Sequence, residues 1–247
     1  MFFPYKDDNP RILIPYVTYS IIILNVLVFF YQFGLDLIAE QEFTLKFGLI
    51  PATFSDVSPS QIVNNYSYRI SQAIGRPVTL NVTPGSPWLT MFTSMFLHGG
   101  FAHIIGNMWF LWIFGDNVES AFGHKRFAIF YLLSGLGAAF AQVFINVSSM
   151  IPMIGASGAI AGVLGAYMLR FPRARVHVFI FLFIIITTIQ TPAFVVIGIW
   201  FLIQLTSGIG SLGPDTTGGV AWFAHIGGFI TGIIFERLFH FVRTQKY

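Results

Sequence analysis

The chain contains no cysteine, and only 9% of its 247 residues are charged. The first absence removes disulfides and thiolate chemistry and leaves the redox compartment unreadable. The second decides more, because a soluble domain carries about 25% charged residues. A water-soluble globule is thereby excluded, as is a disordered or nucleic-acid-binding chain. Acidic groups are scarcest: ten Asp and Glu stand against 13 Lys and Arg, a formal net charge of +3. Hydrocarbon fills the space, with 55% apolar residues, 29 Phe and a mean hydropathy of +0.74. Each bilayer crossing takes ~20 residues, so six crossings use about half of such a chain, in line with its apolar share. The composition is that of a polytopic membrane protein whose basic excess orients it in the bilayer.

Charge-free stretches divide the chain. The first covers 12–35, too long for a signal-peptide core and without a small-residue cleavage pattern, so it reads as an uncleaved helix after a short tail (1–13). Residues 34–97, with Pro51, Pro59, Pro77, Pro84 and Pro87, form a long outer loop containing interfacial pieces around 43–54. A second span covers 101–119, and 127–169 holds two more, broken at 146–155 by a segment with Pro152. The stretch 176–190 is short for a crossing and reads as re-entrant or interfacial, with 193–208 beyond Pro192 as the fifth span and 219–241 as the sixth. With six spans, Lys6, Arg11, Lys125, Arg126, Arg170, Arg173, Arg175, Arg237, Arg243 and Lys246 fall on one side. Only Lys46, Arg69 and Arg76 fall on the other. That bias puts both termini in the cytoplasm. No organelle-targeting segment precedes the first span, so the expected location is a prokaryotic plasma membrane. No internal repeat is visible, which argues against the paired halves of a transporter and for one membrane domain over 1–247.

Polar residues at membrane depth are costly and point to function where they converge. Gly155-Ala156-Ser157-Gly158 opens the fourth span. There the unpaired N–H groups of a first helical turn can polarise a carbonyl while Ser157 presents a hydroxyl to it, although alone Ser157 also reads as a helix N-cap. Ala224-His225-Ile226-Gly227-Gly228 begins the sixth span, and a lone histidine there also reads as a packed, hydrogen-bonded residue. The stripes Gly158-x-x-x-Gly162 and Ala224-x-x-x-Gly228-x-x-x-Gly232 allow two helix backbones to approach closely, which would bring His225 to Ser157. His103 and Asn107, four residues apart, share one helix face at the start of the second span and can join the N–H groups of Ala156 and Ser157 around an oxyanion. A metal on His98, His103 and His225 is the weaker reading, because no carboxylate accompanies them. His124, His177 and His240 lie on the inner side and read as structural. Lys46 is remote in the long loop, and Asp116 and Glu119 lie ~20 Å along the second helix from His103. Asp215 stays open as a third member, and the simplest inventory is a Ser157–His225 dyad.

These motifs together resemble the rhomboid family of intramembrane serine proteases. The carriers are His98-Gly-Gly-Phe-Ala-His103-Ile-Ile-Gly-Asn107, Gly155-Ala-Ser157-Gly, Ala224-His225-Ile-Gly-Gly228, and Gly115-Asp-Asn-Val-Glu119 closing the second span. The resemblance covers 88–241 and implies an all-α polytopic fold, a six-transmembrane-helix bundle with a membrane-associated first loop. It implies Ser157 as nucleophile and His225 as general base. His103 and Asn107 would join the backbone N–H groups of Ala156 and Ser157 in an oxyanion hole, with His98, Gly155, Gly158 and Gly228 supporting the site. It implies a single-span membrane protein as substrate and the lipid bilayer as surroundings, with no cofactor, metal or nucleic acid. Two positions depart from the family pattern: Leu89 follows Trp88 where many members have Arg, and Ala161 stands where many have an aromatic packed on the catalytic histidine. The alternatives are a non-catalytic relative that binds client helices and, further off, a channel or small transporter using the histidines as a relay.

Overall fold

The computed structural model describes residues 2–10, 12–182, 185–212 and 220–244. Six helices form a bundle: α1 (Tyr16–Phe33), α5 (Phe101–Phe122), α6 (His124–Ile145), α7 (Ser157–Arg170), α8 (Ala193–Gly210) and α9 (Trp222–Thr244). Helix α7 is the axis of the bundle, and every residue from Gly158 to Tyr167 is buried. Its neighbours are α9, α6, α5 and α8, while α1 packs outside against α5. By length and composition three described helices suffice to cross a membrane: α1, α6 and α8. Helix α7 has only 14 residues, and α5 carries Asp116 and Glu119 in its last turns.

Glycines set the distance between α7 and α9. A methyl group placed on Gly228 would overlap the carbonyl oxygen of Gly158, and one on Gly232 would overlap that of Gly162. The backbones therefore touch directly, as small-residue stripes permit where lipid offers no hydrophobic drive.

The loop 34–97 is a packed unit containing α2 (Leu37–Phe47), a 3₁₀ turn (Pro51–Phe54), α3 (Pro59–Ile74) and α4 (Pro87–Thr93). Helix α3 starts at a capping box. Gln61 N–H donates to Ser58 Oγ at 3.3 Å, and Ser58 N–H donates back to Gln61 Oε1 at 2.8 Å. Its Ile62, Tyr66 and Ile70, four apart, turn inward onto Leu45 and Leu80. A two-way backbone bridge, Leu49 with Met153, ties the loop to the segment just ahead of α7.

The all-α expectation needs one correction. Strands β1 (Phe2–Asp7), β2 (Arg175–Leu182) and β3 (Ile185–Pro192) form an antiparallel sheet in the order β1-β2-β3. The stretch 176–190 is thus a hairpin, and the tail 1–13 contributes a strand rather than a free end. Asp7 pairs with Val176 and Phe2 with Ile180, with a bulge between Pro4 and Lys6. Val176 and Val178 are fully buried and belong to the bundle core. Polar contacts fix the sheet against the helices: Trp109 Nε1 donates to the Pro4 carbonyl at 2.9 Å, and the Tyr167 hydroxyl donates to the Asp7 carboxylate. His177 Nε2 lies 2.8 Å from Asp8 Oδ1, and this hydrogen bond holds the Asp8 carboxyl below its ordinary range.

Helix α1 begins after Pro15, which has no side-chain cap to offer. Its first N–H groups are satisfied instead by fully buried Glu119, at the far end of α5. Val17 N–H donates to Oε1 at 2.9 Å, while Thr18 N–H and Thr18 Oγ1 both donate to Oε2 at 2.7 Å. The His124 Nδ1 atom lies 2.6 Å from Oε1. One carboxylate therefore joins the start of α1, the end of α5 and the start of α6. Replacing Glu119 by Leu leaves these donors buried without an acceptor and is expected to cost about 1–3 kcal/mol, read as a lowered melting temperature in detergent. Gly232→Leu, which forces α7 and α9 apart, is expected to destabilise by a similar ~1–3 kcal/mol through overpacking, seen in the same melt.

Candidate active site

Ser157 is the first residue of α7, and the N-cap position belongs to Ala156, whose backbone is already helical. No side-chain cap forms there, so the Ser157 hydroxyl is not used up on its own helix. The turn that presents it depends on Gly155. With φ +118° this residue occupies a region L side chains rarely adopt, and a methyl group on it would lie 2.6 Å from His103 Nε2. Gly155 N–H donates to the Ser94 carbonyl at 2.8 Å, which pins the turn to the segment ahead of α5.

His225, in the first turns of α9, meets that hydroxyl: His225 Nε2 lies 2.8 Å from Ser157 Oγ. On the ring's other side, His225 Nδ1 lies 2.7 Å from Gln204 Oε1 on α8. Two indoles flank the imidazole, Trp200 with its ring centre 6.0 Å away and Trp222 edge-on at 6.2 Å. These supply the aromatic contact that buried Ala161 cannot.

His103 and Asn107 both line one cavity of about 430 Å³ with Ser157 and His225. Gly99 N–H donates to His103 Nδ1 at 3.4 Å, which leaves that ring's proton on Nε2, the atom beside Gly155. Asn107 is buried, and its Nδ2 has no acceptor among the described residues. Two side-chain donors are therefore available beside the N-terminus of α7, the arrangement that stabilises negative charge developing on a carbonyl oxygen. His98 lies one layer behind, its ring edge-on to that of His103 at 4.9 Å, and its backbone N–H donates to Gln32 Oε1 of α1 at 3.1 Å. Gly158 and Gly228 sit at the α7–α9 contact beside the pair.

Apart from Ser94, the remaining walls of the cavity are apolar or glycine, with Met91, Met95, Phe110, Leu164 and Trp200 among them. A second cavity of about 740 Å³ shares His103, Ile154 and Val220 with the first and carries Gln142, Asn146 and Ser149 on its wall. A polar vestibule thus adjoins a mostly apolar chamber, and the Ser–His pair lines the chamber.

Among the described residues, the other titratable groups weighed from the sequence are engaged elsewhere. Glu119 is committed to α1 and α6, His124 to Glu119, and His177 to Asp8. Lys46 lies over the Phe47 ring in the loop 34–97. Asp215 and the His240 side chain lie outside the described residues. Among the described residues no three His, Asp or Glu side chains gather as a metal site. Gln204 is the site residue that sequence reasoning missed. A glutamine in the middle of so apolar a helix was the available signal, but its face is set only by packing.

A family model described as the Rhomboid domain matches residues 85–241, which include every residue of this site except Gln32. The chain is 30% identical over 163 residues to RHOMBOID-like protein 4 of Arabidopsis thaliana, covering 66% of this chain and 37% of that protein. It is 35% identical over 145 residues to Rhomboid protease GluP of Bacillus subtilis, covering 59% and 25%. Against Rhomboid protein 1, mitochondrial, of Saccharomyces cerevisiae it is 28% identical over 152 residues, covering 60% and 40%. The chain spans less than half the length of these relatives. They come from a plant, a bacterium and a yeast mitochondrion, so they do not single out the prokaryotic plasma membrane expected from the sequence. A mostly helical integral membrane protein, with its Ser–His pair inside the matched segment, the chain belongs to the rhomboid family.

Proposed function

We propose that the protein is an intramembrane serine endopeptidase that cleaves transmembrane segments of membrane proteins with a Ser157–His225 dyad. The observation that carries this reading is the 2.8 Å approach of His225 Nε2 to Ser157 Oγ at the N-terminus of α7. Ser157 Oγ attacks the scissile carbonyl carbon as His225 Nε2 takes its proton. The carbonyl oxygen, now negative, is held by the N–H groups of Ala156 and Ser157, by His103 Nε2–H and by Asn107 Nδ2. As the C–N bond breaks, His225 returns its proton to the leaving amine, leaving an acyl ester on Ser157. A water then gives its proton to His225 and attacks the ester, and the proton passes back to Ser157 Oγ.

Hydrolysis within a bilayer needs water at the bond, and the polar vestibule beside His103 supplies a route for it. The apolar chamber suits side chains of a transmembrane substrate. Residues 1–247 act as one membrane domain with six crossings and both termini on the cytoplasmic side. This topology is supported by the alternating run of α1, α5, α6, α7, α8 and α9 and by the clustering of basic residues on one side. The reaction calls for no metal or cofactor from this set of residues.

Ser157→Ala and His225→Ala are each expected to abolish cleavage of a transmembrane substrate in proteoliposomes, and Ser157→Ala to abolish labelling by a serine-reactive fluorophosphonate. Full cleavage by the Ser157→Ala protein would overturn the proposal. Asn107→Ala removes one oxyanion donor and is expected to lower kcat by about 10²–10³, equivalent to about 2.7–4 kcal/mol, measured as turnover on the same substrate.

A further inference from the structure

Gln204 is a primary amide buried to 5% exposure on α8, a helix of otherwise mostly apolar sequence. Burying an amide is unfavourable unless its polar atoms are matched, and both ends of this one are. Gln204 Nε2 donates to the Trp200 carbonyl at 3.1 Å, one turn back on the same helix. Gln204 Oε1 lies 2.7 Å from His225 Nδ1.

The first bond settles the direction of the second. A carbonyl oxygen only accepts, so the Trp200 carbonyl holds the NH₂ end of the amide and turns Oε1 toward the imidazole. An amide oxygen also only accepts, so the hydrogen between Oε1 and the ring belongs to Nδ1. A neutral imidazole carries a single N–H, and Nε2 is left with a free lone pair facing the Ser157 hydroxyl 2.8 Å away. From the α8 backbone to the nucleophile, each hydrogen bond dictates the polarity of the next.

We propose that Gln204 is a positioning residue that holds His225 in its Nδ1–H tautomer, so that the reacting pair is one end of a Ser157–His225–Gln204 relay. The inference rests on the hydrolytic reading above. It assigns to a neutral amide the orienting task that a carboxylate performs in soluble serine hydrolases. The substitution has a physical reason. A carboxylate beside His225 would place a net negative charge in a buried, mostly apolar site, where an unpaired charge is expensive. The amide accepts the same hydrogen bond without that cost. It remains an acceptor when His225 becomes imidazolium, so the ring need not turn during the reaction.

The test compares wild type with Gln204→Leu and Gln204→Glu in proteoliposomes, alongside ¹⁵N-histidine spectra assigned by loss of the His225 signal in His225→Ala. Wild type is expected to show protonated Nδ1 and bare Nε2. Gln204→Leu should lose that tautomer preference and lower kcat by about 10²-fold or more, with KM within about twofold, since a positioning residue makes no contact with substrate. Gln204→Glu restores the acceptor. It should recover most of kcat while moving the acid limb of the kcat–pH profile to higher pH, because a neighbouring carboxylate favours imidazolium. A Gln204→Leu protein with wild-type kcat and an unchanged tautomer would overturn the proposal, as would a Gln204→Glu profile that does not move. If Gln204→Leu fails to fold, Gln204→Glu and the wild-type spectrum decide. If wild type cleaves nothing, the hydrolytic reading falls, while the tautomer spectra still decide the role of Gln204.

Discussion

Backbone contact between α7 and α9 is the constraint on which the site depends. A helix pair separated by ordinary side chains keeps its axes 8–10 Å apart, and the glycines at 158, 162, 228 and 232 remove that spacing. A hydroxyl on the first turn of one helix and an imidazole on the first turns of the other then reach each other without long side chains. Helix α6 repeats the principle against α7, with its Ala138 and Ser134 set against Gly158 and Gly162. Close packing here is therefore a condition for chemistry before it is a source of stability.

The polar groups around that contact are almost all neutral. Amides of Gln204 and Asn107, imidazoles of His98, His103 and His225, one hydroxyl and the backbone of Gly155 make up the cluster. The buried carboxylate described in detail, Glu119, sits at the opposite end of α5 and is matched by three donors from α1 and the ring of His124. This division follows from the solvent. In hydrocarbon a hydrogen bond between neutral groups avoids the desolvation of an ion, so orientation is achieved with amides, and charge is kept near the bundle's end.

Much of this was readable in the sequence, and the parts that were not share a physical cause. The small-residue stripes flanking Ser157 and His225 signal close helix approach, and the structure has those backbones in contact. His103 and Asn107 share a helix face by spacing alone, and they line the same cavity as Ser157. The hairpin of residues 175–192 was not readable as a hairpin. A short apolar run bounded by Pro suits strand and membrane segment equally by periodicity, and the strand that pairs with it lies far away at residues 2–7. Gln204 was unreadable for a related reason, since its importance depends on where α8 docks. Helix α3 was also missed, although its start at Ser58-Pro-Ser-Gln61 is a local N-terminal signature that needs no tertiary information.

The shared sheet also constrains how the chain threads the bilayer. Asp8 N–H donates to the Arg175 carbonyl at 2.9 Å, with ionisable side chains on both residues and His177 bonded to Asp8. Two such points cannot be joined edge to edge across a hydrocarbon slab, so they share one face of it. Whatever path the intervening chain takes, it must pass from leaflet to leaflet an even number of times. A rule of parity for the first two thirds of the molecule is thus written into three short strands.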